Sequence, residues 1–187
     1  MLVRLDNHAI DKFYPWLVAN FPADEVKPLP WIKRMLARGD YTLFAWQEDS
    51  PLALALAFFY HGQSEEEPAL LDYLLVHPEA QSQGIGSKFL DTLVRAKSLK
   101  NGFLVELERL DLAESQEDYV KRQKRLTFYQ RLDFKATKLL PEVFGVGYRL
   151  YHSPSLRLTE TQLKTRYLAI YQAMVPEEAL FKKHIKL

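Results

Sequence analysis

Residues 74–87 read Leu74-Leu75-Val76-His77-Pro78-Glu79-Ala80-Gln81-Ser82-Gln83-Gly84-Ile85-Gly86-Ser87. An apolar strand ends at Val76, a tight loop follows, and two glycines stand where an amphipathic helix begins. The first turn of a helix carries backbone N–H groups without intrahelical partners and a partial positive charge. Gly84 and Gly86 lack a Cβ, so a ligand can come close to that backbone. The stretch therefore predicts an anion cradle suited to phosphate or pyrophosphate. The chain has only 7 glycines, and two of them fall here within three residues. A Walker loop requires Gly-x4-Gly-Lys-Ser/Thr, which is absent. A dinucleotide fingerprint requires a third glycine at position 89, which is Phe89.

Working outward, Ala69–Val76 precedes the loop as a strand. Tyr41–Gln47 and Leu52–Tyr60 precede that, joined by the turn residues Glu48-Asp49-Ser50-Pro51 and by a loop carrying Glu65, Glu66 and Glu67. Three strands with short polar connections predict an antiparallel meander. Leu52–Tyr60 is apolar throughout, which predicts a strand covered on both faces. Upstream, Met1–Leu5 is a short strand. His8–Phe21 has helical apolar spacing, with Pro15 expected to kink or split it. Pro30–Arg38 is a second short helix closed by Gly39. Downstream, Ile85–Lys100 is a helix stopped by Asn101-Gly102, followed by the strand Phe103–Glu108. Asp118–Leu132 is a basic helix and Gly145–His152 a final strand. Thr159–Met174 is a helical tail with apolar Leu163, Tyr167, Ile170, Tyr171 and Met174 on one face, and Glu177–Leu187 forms one more short helix.

Gln81-x-x-Gly84-x-Gly86 after a strand ending Val-His-Pro resembles the signature of the GNAT superfamily of acyl-CoA-dependent N-acetyltransferases. Phe128-Tyr-Gln-Arg-Leu-Asp-Phe134 stands where that family has its Leu-Tyr-x-x-x-Gly-Phe segment. The resemblance covers residues 1–152. It implies an α/β (α+β) fold with a mixed six- or seven-stranded sheet and helices on both faces. The strand after the motif helix runs parallel to the strand before it. The implied division is an N-acetyltransferase domain, 1–152, and a C-terminal helical extension, 153–187, packed on the domain or on a second subunit as a homodimer contact. The implied co-substrate is acetyl-CoA, with its pyrophosphate on the loop formed by Gln81, Ser82, Gln83, Gly84, Ile85, Gly86 and Ser87. The backbone of Val76 pairs with the pantetheine arm. Asp133 replaces the usual glycine at a left-handed position, which is a matter of backbone strain. Two further departures concern the acceptor side: Arg122 stands where an Asn is frequent, and the segment Arg109–Tyr119 between strand and helix is longer than in compact members.

The implied reaction is direct acyl transfer to a primary amine of a small molecule or peptide. It needs a base, oxyanion donors and an acid for the departing thiolate. Tyr129 matches the family's acid. Glu106, inside the apolar strand Leu104-Val-Glu-Leu-Glu108, is the candidate base, because a carboxyl in apolar surroundings has a raised pKa. Glu108 shares its face, and Asp72 is the main competitor. His77 is read as structural. The basic run Lys121, Arg122, Lys124, Arg125 and Arg131 is a solvated face, or a contact for the coenzyme's 3′-phosphate or for an acidic acceptor. The acidic run Glu65–Glu67 is a solvated loop, with attraction of a cationic amine as the alternative. Alternative functions are a non-catalytic acyl-CoA-binding regulatory protein and an interaction domain built on the tail.

Composition narrows the remaining classes. In 187 residues, 25 basic and 24 acidic side chains give a net charge of +1, which offers no electrostatic reason to expect nucleic acid or membrane as a partner. No cysteine is present, which excludes thiolate nucleophiles and thiolate metal sites. The 5 histidines show no helical ligand pair, so no metal is expected. Met1–Trp16 lacks the pattern of a signal peptide, and the longest apolar run is far short of a membrane span. The expected location is the cytoplasm.

Overall fold

The computed structural model describes residues 1–23, 25–47, 55–62 and 67–187. In chain order the elements are β1 (Leu2–Arg4), α1 (Ala9–Asn20), α2 (Leu29–Arg38), β2 (Tyr41–Trp46), β3 (Ala55–Tyr60), β4 (Ala69–Val76), α3 (Ile85–Arg95) and β5 (Phe103–Glu108). They continue with α4 (Gln116–Gln130), β6 (Lys135–Ala136), β7 (Glu142–Val143), β8 (Val146–His152), α5 (Glu160–Met174), α6 (Glu178–His184) and β9 (Ile185–Lys186). The sheet order is β1-β2-β3-β4-β5-β8-β7-β9, with β6 on β8. The four first strands form an antiparallel series, β4 and β5 are parallel, and β5 is antiparallel to β8. This is the mixed α+β sheet expected, with nine strands among the described residues instead of six or seven. The additional members β6, β7 and β9 are two residues long, too short to carry a period in sequence.

Strand alternation divides the core in two. Leu43, Leu56, Phe58, Tyr60, Leu70, Leu104 and Leu150 face α1, α2 and α5. Phe44, Ala57, Phe59, Leu71, Phe103, Val105 and Tyr151 face α3 and α4. All six residues of β3 are buried, as an apolar run covered on both faces should be. Leu163, Tyr167, Ile170, Tyr171 and Met174 of α5 join the first of these cores, so the apolar stripe of the tail is covered within one chain.

Several boundaries differ from the sequence reading for physical reasons. The motif helix ends at Arg95, Ala96 is extended, and a 3-10 turn spans Lys97–Leu99. An unbroken helix would set Leu99 opposite Leu90, since nine residues advance about 900° at 100° each. The break brings Leu99 into the same core as Leu90 and Leu93. Helix α4 begins at Gln116, because Ser115 caps it by accepting from the Asp118 N–H at 3.1 Å. Helix α1 continues through Pro15, where residues 11 and 15 face solvent and water can satisfy the carbonyl that loses its donor. The last helix stops at His184, and Ile185 leaves it to pair with Val143 and bury its side chain. Residues 48–51 of the expected turn, 52–54 of the expected strand, and Glu65 and Glu66 lie outside the described residues.

The feature that makes a site is a β-bulge. Phe58 pairs with Tyr73 and Phe59 with Leu71, leaving Asp72 as an extra residue in β4. A bulge bends its strand and inverts the alternation beyond it. Pairing of β4 with β5 covers only Ala69–Leu71 against Phe103–Val105 and stops there. Beyond Leu71 the two parallel strands part.

Candidate active site

A cleft of about 1020 Å³ occupies the opening between the strands. Its walls are Leu71–Val76 of β4 and Val105–Glu108 of β5. Tyr129 reaches it from the α4 side of the sheet and Tyr171 from the α5 side, so the cleft connects the two faces. Three exposed apolar side chains from separate elements also line it: Trp31 of α2, Phe144 of the β7–β8 turn and Leu180 of α6. Phe144 has φ of 48°, a left-handed backbone that is unfavourable for an aromatic residue. Its ring stacks on His184 with centroids 4.9 Å apart.

The loop after β4 is pinned by its own side chains. His77 Nδ1 accepts from the Glu79 N–H at 3.4 Å and caps a 3-10 turn, so His77 has the structural role expected. Gln81 Nε2 donates to the Val76 carbonyl at 3.1 Å, and Gln83 Nε2 to the Glu79 carbonyl. Ser82 and Gly84 have φ of 61° and 79°, and the first helical bond runs from the Lys88 N–H to the Gly84 carbonyl at 3.0 Å. Left-handed residues just before a helix form a concavity of N–H groups of the kind that binds anions. The two motif glycines differ. A Cβ on Gly84 would meet nothing within 4 Å, which leaves the cradle open. A Cβ on Gly86 would lie 3.2 Å from Val76 Cγ2 and 3.5 Å from the Phe128 ring, so that glycine lets α3 sit close against β4 and α4. The expectation that both serve ligand approach thus separates into one open position and one packing position. The residues present fit a pyrophosphate at Gly84.

Tyr129 is placed by the end of α4. The Asp133 N–H bonds to the Gln130 carbonyl, and the Phe134 N–H to the Tyr129 carbonyl. Asp133 has φ of 60°. This is a Schellman cap with Asp where Gly is usual, and its characteristic apolar contact is Tyr129 on Phe134, ring centroids 5.2 Å apart. Burial raises the Tyr129 pKa and the Arg125 charge opposes this; the net shift is upward, so the hydroxyl stays protonated at neutral pH.

The three carboxylates weighed as bases have different surroundings. Asp72 accepts from Lys27 Nζ at 2.7 Å and from the Tyr41 hydroxyl. Burial is the largest single influence and disfavours the Lys27 ammonium, but the charge and hydrogen bond of Asp72 together with Tyr73 and Glu106 outweigh it and the lysine pKa is raised. Glu108 pairs with Arg125 and lies 3.7 Å from Arg122 Nε. Arg122 is also held by Asp118 and donates to the Arg109 carbonyl at 2.7 Å, so it ties α4 to the segment after β5. Lys121 pairs with Glu117, and most of the expected basic face is engaged in such surface pairs. Glu67 pairs with Arg166 of α5. Glu106 points to the α5 side, where the Tyr167 hydroxyl donates to Oε1 and the Tyr171 hydroxyl lies 2.8 and 2.9 Å from Oε1 and Oε2. Burial raises the Glu106 pKa against the lowering effect of the two phenols. The sequence reading placed Tyr167 and Tyr171 in an apolar stripe and missed their hydroxyls. The available signal was two Tyr four residues apart on a face otherwise of Leu, Ile and Met, since buried phenols require partners.

Among the described residues no group of three or more His, Asp or Glu is arranged to hold a metal ion, and no helix is long and apolar enough to cross a membrane.

Comparison with known proteins gives the same family from two directions. The family described as Acetyltransferase (GNAT) domain matches residues 39–136, just over half of the chain. The Bacillus subtilis (strain 168) protein named "Putative acetyltransferase YjbC" is 30% identical over 138 residues, 73% of this chain, and the chain spans 60% of that relative's length. Among solved structures, the Escherichia coli ribosomal-protein-S18-alanine N-acetyltransferase superposes with a TM-score of 0.57 at 15% identity, covering 86% of this chain and 96% of its own. A dodecameric Vibrio cholerae spermidine N-acetyltransferase gives 0.59 at 10% identity, with 89% and 96% covered. Arabidopsis thaliana NAA60 in complex with acetyl-CoA gives 0.57 at 11% identity, with 81% and 96% covered. At those identities the structures show a shared fold; with the matched domain and the curated relative, they establish that this chain belongs to the GNAT acetyltransferase family.

Proposed function

We propose that this chain is an N-acetyltransferase that moves the acetyl group of acetyl-CoA to a primary amine by direct attack. The observation that carries the reading is the parting of β4 from β5 beyond Leu71, with an anion cradle at its end and Tyr129 and Glu106 on its walls. Residues 81–87 hold the pyrophosphate, and the backbone of Val76 pairs with the pantetheine arm. The Val76 carbonyl accepts from Gln81, and its N–H is assigned to the arm or the oxyanion.

In the reaction, Glu106 accepts a proton from the acceptor ammonium. The amine nitrogen then attacks the thioester carbonyl and a C–N bond forms. As the tetrahedral centre collapses the C–S bond breaks, and the thiolate takes the Tyr129 proton. The second proton of the attacking nitrogen restores Tyr129, the proton held by Glu106 passes to solvent, and the products are an amide and free coenzyme A. Burial raises the basicity of Glu106 and keeps the Tyr129 phenol protonated, so it holds a proton to give, while making it a weaker acid than a free phenol. Trp31, Phe144 and Leu180 at the cleft favour an acceptor that carries an apolar group beside its amine.

The test begins with calorimetry of acetyl-CoA against the native chain and Gly84→Val. Valine is strained at a φ of 79° and its side chain would enter the open cradle, so affinity should fall at least tenfold while the circular dichroism spectrum stays native-like. Equal affinities would remove the cradle assignment. Thiol release with a panel of primary amines, 2-phenylethylamine included, then reads transfer itself.

A further inference from the structure

Glu106 is a half-buried carboxylate without a cation. Among the described residues no Lys, Arg or His lies within ion-pair distance of it, whereas Asp72 has one such partner and Glu108 two. Its partners are the hydroxyls of Tyr167 and Tyr171, four residues apart on α5 with ring centroids 5.0 Å apart. Residues at i and i+4 share a helix face, so both phenols reach one carboxyl group. The other buried residues of α5, Leu163, Ile170 and Met174, are apolar. A helix that needed only an anchor would find apolar residues sufficient at positions 167 and 171 as well.

We propose that Tyr167 and Tyr171 are positioning residues, which hold the Glu106 carboxyl group at the wall of the cleft and so make the C-terminal helix part of the catalytic centre. This rests on the reading of Glu106 as the base. Burying an unpaired carboxylate is costly, and the ordinary outcome is that it becomes protonated. A protonated Glu106 cannot take a proton from an ammonium. Two phenol donors offset that cost without supplying a fixed positive charge, which would hold the carboxylate permanently ionised and weaken it as a base. A carboxylate has about four acceptor directions. The three contacts leave acceptor capacity on Oε2 for a group in the cleft. Both tyrosines lie outside residues 39–136, the segment matched by the family.

Other groups face Glu106 as well. Tyr148 of β8 lies beside it, and its own pKa is raised by burial first and by the Glu106 charge second. Asp72 from β4 disfavours a second negative charge, and Lys27 from the α1–α2 connection favours it. These groups are unchanged by substitutions on α5, so a change measured there reports the phenols.

The experiment uses the full chain and Tyr171→Phe, with Tyr167→Phe as the second variant; each keeps its ring and leaves one phenol in place. The 13C carboxyl resonance of Glu106, identified by its loss in Glu106→Gln, is titrated by NMR in the free protein. The acidic limb of the pH–rate profile is followed with acetyl-CoA and whichever amine of the panel releases thiol fastest. The titration midpoint should rise by about one pH unit in each variant, since a hydrogen bond to an ionised group is lost. The acidic limb should move with it, and the KM for acetyl-CoA should not change. An unmoved midpoint in both variants overturns the proposal: the phenols only fasten the helix. A moved midpoint with an unmoved limb overturns the catalytic role instead, because Glu106 is then tuned but is not the base.

Discussion

Asp72 and Glu106 stand on neighbouring parallel strands, on opposite walls of one cleft, and each accepts hydrogen bonds from phenols. Asp72 takes one from Tyr41 and Glu106 takes them from Tyr167 and Tyr171. The difference is Lys27, whose ammonium lies 2.7 Å from Asp72 and has no counterpart at Glu106. An ion pair fixes its carboxylate: protonating Asp72 would strand a half-buried ammonium. Glu106 is held between burial, which favours the acid, and two hydrogen bonds, which favour the anion. A group so balanced can change protonation at moderate cost, as a general base must. Asp72 instead carries the bulge that opens the cleft, and its salt bridge ties the α1–α2 connection to that bend.

The strongest way to break this comparison is to exchange the roles by mutation. Glu106→Gln should lower turnover by about 10²–10⁴-fold, the range of a lost general base. The double variant Asp72→Asn with Lys27→Met removes both charges together and should keep turnover within about tenfold of the native chain. If steady-state rates show the reverse order, Asp72 is the base.

Stability should rank the pair the other way. Asp72→Ala alone leaves Lys27 uncompensated, and breaking a buried pair costs about 3 kcal/mol or more. Glu106→Gln keeps an acceptor for one phenol and removes the charge that burial opposes, so it should cost no more than about 1 kcal/mol. Urea unfolding at neutral pH compares the two. Similar losses would mean that Glu106, too, is a structural anion.

This contrast was only half legible in the sequence. Glu106 stood out because it interrupts an apolar strand, and the cradle stood out because a period change, a loop and two glycines coincide. The role of Asp72 was hidden, since it depends on a bulge, and nothing in Leu70-Leu71-Asp72-Tyr73 marks which residue the ladder will skip. Lys27 sits in a proline-rich connection with no period to assign it a face. The left-handed backbone at Asp133 was implied by the family resemblance, which places a glycine there after a helix end, and it is found there. Tyr167 and Tyr171 were readable as buried but not as donors, because helical spacing records which face is covered and not what the covered atoms touch. The start of α4 was available in Ser115 and Asp118, three apart in the manner of a helix cap.

The smallest expected effect sharpens the comparison most, because it tests the balance at Glu106 without removing its partners. Glu106 has a folded-state pKa above that of an unfolded glutamate, chiefly through burial. Between those two values the folded chain binds more protons than the unfolded one. Its contribution to stability is therefore full below the unfolded value, about 4.3, and is lost as pH rises through the folded value. Urea unfolding of the native chain and of Glu106→Gln, measured in steps from pH 4 to pH 8, should diverge in that window. The native chain loses stability relative to the variant as pH rises, and the two then run parallel. Tyr171→Phe should extend the native chain's decline toward higher pH, since burial is then less opposed. Tyr41→Phe should leave the end of the decline where it is, because the phenol it removes serves Asp72. Parallel curves for the native chain and Glu106→Gln at every pH would mean that water in the cleft solvates Glu106 as well as Lys27 compensates Asp72. The two carboxylates would then be equivalent anions, and the case for Glu106 over its neighbour would rest on kinetics alone.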